Sequence, residues 1–210
     1  MRAVIFANGG FSHPDPLLPG DFVIAADGGA RYCLELGITP HLVVGDFDSL
    51  DPASMQALEQ AGVELARYPE RKDFTDLELA LQHASQRGAD EILILAALGG
   101  RWDQTLANLL LPASQALCCA RITLVDGAQE IHLLRGGEQL ELQGDPGDTV
   151  SLIPLKGDAV GVATGGLEYP LAGETLFFGS TRGVSNVLLA EPAWVSLQGG
   201  LLLCVLVHKM

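Results

Sequence analysis

Carboxylates dominate the chemistry-bearing residues in the first half of this chain, and they fall in three short segments. These are Ala26-Asp27-Gly28-Gly29, Gly45-Asp46-Phe47-Asp48-Ser49 and Lys72-Asp73-Phe74-Thr75-Asp76. Each follows an apolar run with the character of a strand. Loops leaving the carboxyl ends of strands in an open α/β sheet converge on one crevice, however far apart they lie in sequence. Carboxylates gathered there repel one another, and a cation relieves the repulsion. Oxygen-only ligands suit Mg²⁺, which keeps waters and bridges to phosphate oxygens. The expected chemistry is metal-dependent handling of a nucleotide phosphate.

Each acid taken alone also has a structural explanation. Asp27 beside two glycines suits a turn or a helix cap, and one of Asp46 and Asp48 is explained by an aspartate bonding its own backbone. Asp73 suits a cap, although Thr75 and Glu78 already form a T-x-x-E capping box, which puts Asp76 in the first helical turn where the dipole favours a carboxylate. Their joint occurrence at three strand ends is what these explanations leave over. Asp51 reads as a helix cap, and Asp126, Asp145, Asp148 and Asp158 as turn residues. The five histidines show no H-x-x-x-H spacing and receive no role. Without a G-x-S-x-G or a Cys/His arrangement, a covalent hydrolase is disfavoured.

Glycines supply the other half of a phosphate site. Asn8-Gly9-Gly10 and Gly99-Gly100-Arg101-Trp102-Asp103 each follow an apolar run, and glycine lets backbone N–H groups approach a phosphate closely. Neither loop carries a P-loop or G-x-G-x-x-G pattern. Arg101 adds a guanidinium clamp beside the carboxylate of Asp103.

The elements that must position these residues are legible from periodicity. Val4–Ala7, Phe22–Ala26, Leu42–Val44, Val63–Arg67, Glu91–Leu98 and Arg121–Val125 are strand candidates. Several are apolar without alternation, as parallel strands covered on both faces should be. Helices are expected after Gly29 (ending at Gly37), after Asp51-Pro52 (ending at Gly62) and from Thr75 to Arg87 (ending at Gly88). After Asp126-Gly127 the pattern changes to short strands separated by Gly and Pro turns: Ile131–Leu134, Gln139–Leu142, Thr149–Pro154, Ala159–Thr164, Thr175–Phe178, Ser185–Leu189, Trp194–Leu197 and Leu201–Val207. The expectation is an α/β domain with a mostly parallel sheet over residues 1–127 and an all-β sandwich over 128–210.

Composition bounds the function. The formal charge of −14 over 210 residues argues against non-specific nucleic-acid binding, which needs clustered Lys and Arg. Any phosphate must be met by local means. Cys33, Cys118, Cys119 and Cys204 form no C-x-x-C pair, so buried free thiols in a reducing compartment are expected. The N-terminus reaches glycines too soon for a signal peptide, and Leu201–Val207 is far short of the ~20 residues of a membrane span. A cytoplasmic location with no membrane partner is the expectation.

The motifs Ala-Asp-Gly-Gly-Ala (26–30), Gly-Asp-Phe-Asp-Ser (45–49), Lys-Asp-x-Thr-Asp (72–76), Gly-Gly-Arg-x-Asp-Gln (99–104) with Leu106-Ala107-Asn108, and Gly-Ser-x-Arg-Gly-x-Ser-Asn (179–186) stand in the order found in the thiamine pyrophosphokinase family. The resemblance extends through Gly166-Leu167-x-Tyr169-Pro170-Leu171. It implies an α/β catalytic domain binding ATP and Mg²⁺, and a β-sandwich binding thiamine. It implies transfer of diphosphate from ATP to the hydroxyethyl group of thiamine, giving thiamine diphosphate and AMP. It also implies a homodimer with the site shared between subunits. Carried over, Asp46, Asp48 and Asp76 hold the metal, and Asp46, Asp48, Asp73 and Asp76 form the catalytic set, with Asp76 or Asp48 the proton acceptor. Asp27, Gly28, Arg101, Asp103, Gln104 and Asn108 contact ATP or position the reacting groups. Ser180, Arg182, Ser185 and Asn186 lie in the thiamine loop. Transfer to another small alcohol is a second hypothesis. A non-catalytic nucleotide-binding protein is a third, and the retention of aspartates in every motif disfavours it.

Overall fold

The computed structural model describes residues 1–11, 17–117 and 120–209, so Cys118, Cys119 and His13 lie outside the described residues. The chain divides into two compact units, Met1–Gly127 and Ala128–Met210.

The first unit is built on strands β1 (Arg2–Phe6), β2 (Phe22–Ala26), β3 (Leu42–Gly45), β4 (Glu64–Arg67), β5 (Glu91–Leu95) and β6 (Arg121–Asp126). They lie in the order β6-β5-β1-β2-β3-β4, every pair parallel. Helices α1 (Gly29–Glu35), α2 (Pro52–Gln60), α3 (Asp76–Gln86) and α4 (Trp102–Leu110) connect them. The central strands are buried on both faces, which is why their sequences run apolar without alternation. Val4, Phe6, Val23, Ala25 and Val43 form one face with Ala30 and Cys33 of α1 and Leu58 of α2. Helix α3 packs on β1, β2 and β3, burying Leu77, Leu81 and Ala84. Each large side chain removed from water this way contributes about 1.5–3 kcal/mol. The strand order reverses at β1: the chain moves outward through β2, β3 and β4, then returns to β1's other edge as β5. Such a switch point opens a crevice at the carboxyl ends of the strands.

Helix punctuation follows the expected chemistry. Asp51 Oδ1 accepts from the N–H groups of Ala53 (2.9 Å) and Ser54 (3.0 Å), with Pro52 at the first position of α2. Thr75 Oγ1 accepts from the Glu78 N–H at 3.2 Å and starts α3 at Asp76. Helix α4 is absent from the expected elements although Trp102, Leu106, Leu109 and Leu110 stand at helical spacing; in the fold Trp102, Leu106 and Leu110 are exposed. The fifth strand is also shorter than its apolar run, ending at Leu95, because Ala96 turns the chain at φ +55°.

The second unit carries two antiparallel sheets. One, in the order β12-β9-β14-β7, uses β12 (Asn186–Val187), β9 (Thr149–Pro154), β14 (Leu201–Val207) and β7 (Gln129–Arg135). The other, β11-β10-β13-β8, uses β11 (Ala172–Leu176), β10 (Ala159–Gly165), β13 (Ala193–Ser196) and β8 (Gln139–Leu142). Leu134, Val150, Leu152, Leu202, Cys204 and Leu206 of the first sheet meet Val162, Leu176 and Val195 of the second in one core. This is the expected sandwich. The strand expected at Thr175–Phe178 is displaced to Ala172–Leu176: register with β10 is set at Leu176, and Phe177 and Phe178 lie beyond it, exposed. The Phe178 N–H donates instead to Asp158 Oδ1 at 2.9 Å. The run Ser185–Leu189 pairs as a strand only at Asn186–Val187, after a left-handed Ser185 (φ +61°).

Two classes of residue read as incidental in the sequence are structural here. Asp148 is 2% exposed. Its carboxylate accepts from the N–H groups of Asp145 (3.0 Å) and Lys209 (2.9 Å) and meets His208 Nδ1 at 2.9 Å. His208 Nε2 lies 3.2 Å from Glu130, which also meets His132 at 3.2 Å. The group latches the chain's last residues to β7 and to the turn before β9. In the first unit, His41 Nδ1 accepts the Val23 N–H at 3.0 Å. His83 is held between the Tyr68 hydroxyl (2.9 Å) and Arg87 (3.0 Å).

The latch makes stability depend on pH. A hydrogen bond to His132 holds Glu130 below its ordinary range, and the Lys209 N–H does the same for Asp148. Burial alone would lower His208, but its bonds to Asp148 and Glu130 raise it overall. The carboxylate contribution is complete above about pH 4.5 and is lost as pH falls through the depressed folded values. The His208 contribution is complete below about pH 6.5 and is lost as pH rises through the raised folded value. The latch is therefore strongest at about pH 5–6. His208→Gln should lower the melting temperature most in that window and least above pH 8. A difference constant from pH 5 to 8.5 would contradict this linkage.

Candidate active site

The carboxyl ends of the parallel strands open into a cleft of about 740 Å³. It is lined by residues following β1 (Ala7 to Gly10), β2 (Asp27), β3 (Asp46), β4 (Lys72 and Phe74 to Leu77) and β5 (Ala97 and Gly99 to Arg101), with Gln104 and Asn108 from α4.

Asp27 leaves β2 in a left-handed conformation (φ +45°), and its N–H donates to the Val44 carbonyl at 2.8 Å. It is 7% exposed, and its Oδ1 is buried with no hydrogen-bond partner among the described residues. Gly45 makes room for it, since a Cβ there would stand 3.0 Å from the Asp27 Cβ. After Gly45 the chain turns through Phe47 at φ +70°, buried beneath the Arg67 guanidinium at 4.7 Å. Arg67 Nη1 donates to the Asp46 carbonyl at 3.0 Å, and the Asp48 N–H donates to Asp46 Oδ1 at 3.1 Å. The Asp48 N–H is the main influence holding the Asp46 carboxyl below its usual range. Strained non-glycine backbone at two adjacent strand ends suits a functional site.

Asp27, Asp46 and Asp48 each place a carboxylate oxygen within 4.8 Å of the others. Asp76 is tied to the same group through Lys72, whose Nζ lies 2.9 Å from Asp76 Oδ1 and 3.7 Å from Asp46 Oδ2. Burial pushes the Asp76 carboxyl above its ordinary value; Lys72 pulls it down, while Asp27 and Asp46 push it further up. The compact trio thus contains Asp27 where the family resemblance implies Asp76, and Asp76 sits beside it across an ammonium group. The sequence motif includes Lys72 but assigns it no role. Its side chain is only 12% exposed. Asp73 is exposed and does not line the cleft.

The glycine loops divide differently from the expectation. Gly9 and Gly10 donate their N–H groups to Ala96 O (2.6 Å) and Leu98 O (2.7 Å), so those amides hold loop to loop. A Cβ at Gly9 would stand 2.6 Å from two carbonyl oxygens, so glycine is required there by packing. Gly99 and Gly100, both left-handed, lead into α4, whose N-cap Arg101 makes no side-chain cap. Arg101 and Asp103 are exposed and paired, with Nε to Oδ1 at 3.1 Å. Asn108 is buried; its Nδ2 donates to Ala97 O at 2.7 Å and its Oδ1 is without a partner among the described residues. Gly28 precedes α1 against the Asn8 side chain, which accepts from Arg31 at 2.8 Å.

The remaining candidates belong to the second unit. Ser180 Oγ accepts from the Arg182 N–H at 3.3 Å, and Arg182 is paired with Glu174. The Ser185 N–H donates to Ser151 Oγ at 3.0 Å. Asn186 Oδ1 accepts from Tyr169 N–H (3.0 Å) and Val187 N–H (2.9 Å), and its Nδ2 donates to Tyr169 O at 2.8 Å. Its amide is occupied in stapling the Tyr169 segment to β12.

The family model described as "Thiamin pyrophosphokinase, catalytic domain" matches residues 18–122, and "Thiamin pyrophosphokinase, vitamin B1 binding domain" matches residues 138–202. The chain is 32% identical to thiamine pyrophosphokinase of Bacillus subtilis over 182 residues, 87% of this chain and 85% of the relative. This chain belongs to the thiamine pyrophosphokinase family. Its backbone follows that of the crystal structure of thiamine pyrophosphokinase from Bacillus subtilis with a TM-score of 0.89 at 28% identity, covering all of both chains. A thiamin pyrophosphokinase family protein from Enterococcus faecalis gives 0.87 at 27% identity, again over all of both chains. The first family match falls inside the unit that carries the aspartate cleft. The second falls inside the sandwich that carries the 180–186 loop. Among the described residues no helix is long and apolar enough to cross a membrane.

Proposed function

We propose that this chain transfers diphosphate from ATP to the hydroxyethyl group of thiamine, releasing AMP and thiamine diphosphate. In this reading residues 1–127 bind ATP and Mg²⁺, and residues 128–210 bind thiamine and form the dimer. The observation that carries it is the convergence of Asp27, Asp46 and Asp48, with Asp76 beside them, in the switch-point cleft of a thiamine pyrophosphokinase-family chain. The unpartnered Asp27 Oδ1 and the all-oxygen donor set fit a hard divalent cation. Asp46 and Asp48, with Asp27 and Asp76, are the residues that would hold it. Bound there, Mg²⁺ supplies charge neutralisation of the phosphate oxygens.

The chain's own groups do the rest. The open start of α4 and Arg101, released from Asp103, receive phosphate oxygens, while Gln104 and the free Oδ1 of Asn108 offer polar contacts inside the cleft. Attack on the β-phosphorus requires the alcohol in line with departing AMP, so positioning supplies much of the rate. Asp76 or Asp48 takes the hydroxyl proton, with Asp73 at the exposed entrance. Ser180, Arg182, Ser185 and Asn186 shape the acceptor loop, contributed by the second subunit of a homodimer. The exposed Tyr169, Phe177, Phe178 and Leu189 of the sandwich support such an interface. The buried free thiols Cys33 and Cys204, both pushed up to about 12 by burial, are consistent with the cytoplasm.

Incubation of the purified protein with ATP, Mg²⁺ and thiamine should yield AMP and thiamine diphosphate in equal amounts. Formation of ADP, or no turnover with any divalent ion, would reject the assignment.

A further inference from the structure

Among the described residues, Lys72 is the side chain that pairs with both Asp46 and Asp76. Asp46 in turn belongs to the Asp27–Asp46–Asp48 trio, so the ammonium group links that trio to Asp76. A cation this close to two carboxylates and 12% exposed is screened far less than a surface lysine. Its reach also divides Asp46: Oδ1 accepts the Asp48 N–H, while Oδ2 faces the ammonium. A divalent ion engaging Asp46 or Asp76 must therefore share a carboxylate with Lys72 or displace it. The Asp27 Oδ1, by contrast, has no hydrogen-bond partner among the described residues.

We infer that Lys72 is an internal counter-ion that stands in for the divalent metal between Asp46 and Asp76. In the absence of metal it keeps the carboxylates from repelling one another and holds the affinity for free Mg²⁺ low, so that metal binds well only together with the nucleotide's phosphates. When metal and phosphate arrive, the ammonium group is the nearest charge able to turn from carboxylate to phosphate oxygen. This makes Lys72 a positioning residue that acts through Asp46 and Asp76. The inference rests on the metal-site reading above but not on the identity of the acceptor.

The test is binding of Mg²⁺ alone, without nucleotide or thiamine, by calorimetry on the wild-type protein, Lys72→Met and Lys72→Arg. Lys72→Met should bind free Mg²⁺ at least about tenfold more tightly, because a competing charge is removed. It should also melt lower in EDTA and gain more on adding Mg²⁺. Lys72→Arg keeps the charge and should restore weak binding. The chain has three lysines, Lys72, Lys156 and Lys209, so the ¹³Cε signal of Lys72 can be assigned in the wild-type protein. It should move as Mg²⁺ is added, which settles the matter even if Lys72→Met does not fold. Equal or weaker Mg²⁺ binding by Lys72→Met, or no binding by either protein, overturns the inference, as does a Lys72 signal unmoved by Mg²⁺. Failure to form thiamine diphosphate would reject the proposed reaction and leave these binding results standing.

Discussion

Asp46→Asn is expected to reduce the rate of AMP formation by about 10³-fold or more while the protein stays folded. Asparagine keeps the volume of the side chain and one acceptor oxygen, so the Asp48 N–H retains its partner. What disappears is a negative charge at the centre of the Asp27–Asp46–Asp48 trio. Loss of that charge weakens a divalent ion and phosphate together. In the metal-free protein the Asp48 N–H and Lys72 already stabilise that charge, so the melting temperature in EDTA should hold or fall slightly. Asp76→Asn should lose activity likewise, but its melting temperature in EDTA should hold or rise. Its carboxyl is already pushed up by burial and, more weakly, by Asp27 and Asp46, so neutralising it relieves strain in the empty cleft even though Lys72 loses a partner. In Asp76→Asn the signature is opposite movement of activity and metal-free stability. Near-normal turnover in both variants would remove the carboxylate cluster from the mechanism, and loss of turnover with global unfolding would show only a structural role.

Asp148→Ala should destabilise the sandwich by about 1–3 kcal/mol. Two backbone N–H groups, those of Asp145 and Lys209, lose their acceptor, and His208 loses one of its two carboxylates. Both donors belong to exposed residues that water can reach, so each lost bond costs about 0.5–1.5 kcal/mol rather than the full penalty of a buried orphan. Denaturant melts at pH 6 measure the loss. Asp148→Asn should recover part of it, because an amide oxygen still accepts from one backbone group. Asp145→Ala should cost under about 0.5 kcal/mol, as expected of a surface turn position. If the two alanine variants proved equally mild, the latch would be a minor feature of the unit.

Much of the architecture was legible in local sequence because it rests on local physics. Unbroken apolar runs such as Phe22–Ala26 can only be covered on both faces, which makes a parallel sheet. The Asp51-Pro52 and Thr75-Asp76 helix starts satisfy orphan N–H groups within three residues, so their signals are complete in sequence. The change from long helical periods to short strands with Gly and Pro turns after Asp126-Gly127 is likewise local. Asp27, Asp46, Asp48 and Asp76 could be suspected for the same reason: strand ends are recognisable, and α/β sheets gather them.

Tertiary structure decided what local sequence could not. Whether an amide is free for a ligand depends on what lies across from it: Gly9 and Gly10 resemble a phosphate loop but spend their N–H groups on Ala96 and Leu98. Helix α4 has apolar residues at helical spacing, but only the fold shows that Trp102, Leu106 and Leu110 lie exposed rather than in the core. Asp148 looks like one turn acid among several, and only the return of β14 brings the His208 ring and the Lys209 amide to it from 60 and 61 residues away. The aspartate cluster shows both halves of the lesson. Its members were named by their positions at strand ends, but Asp27's unpartnered oxygen and the bridging of Asp46 to Asp76 by Lys72 exist only once β2, β3 and β4 lie side by side. Charges interact through space, and the distances that set their strength are properties of the fold.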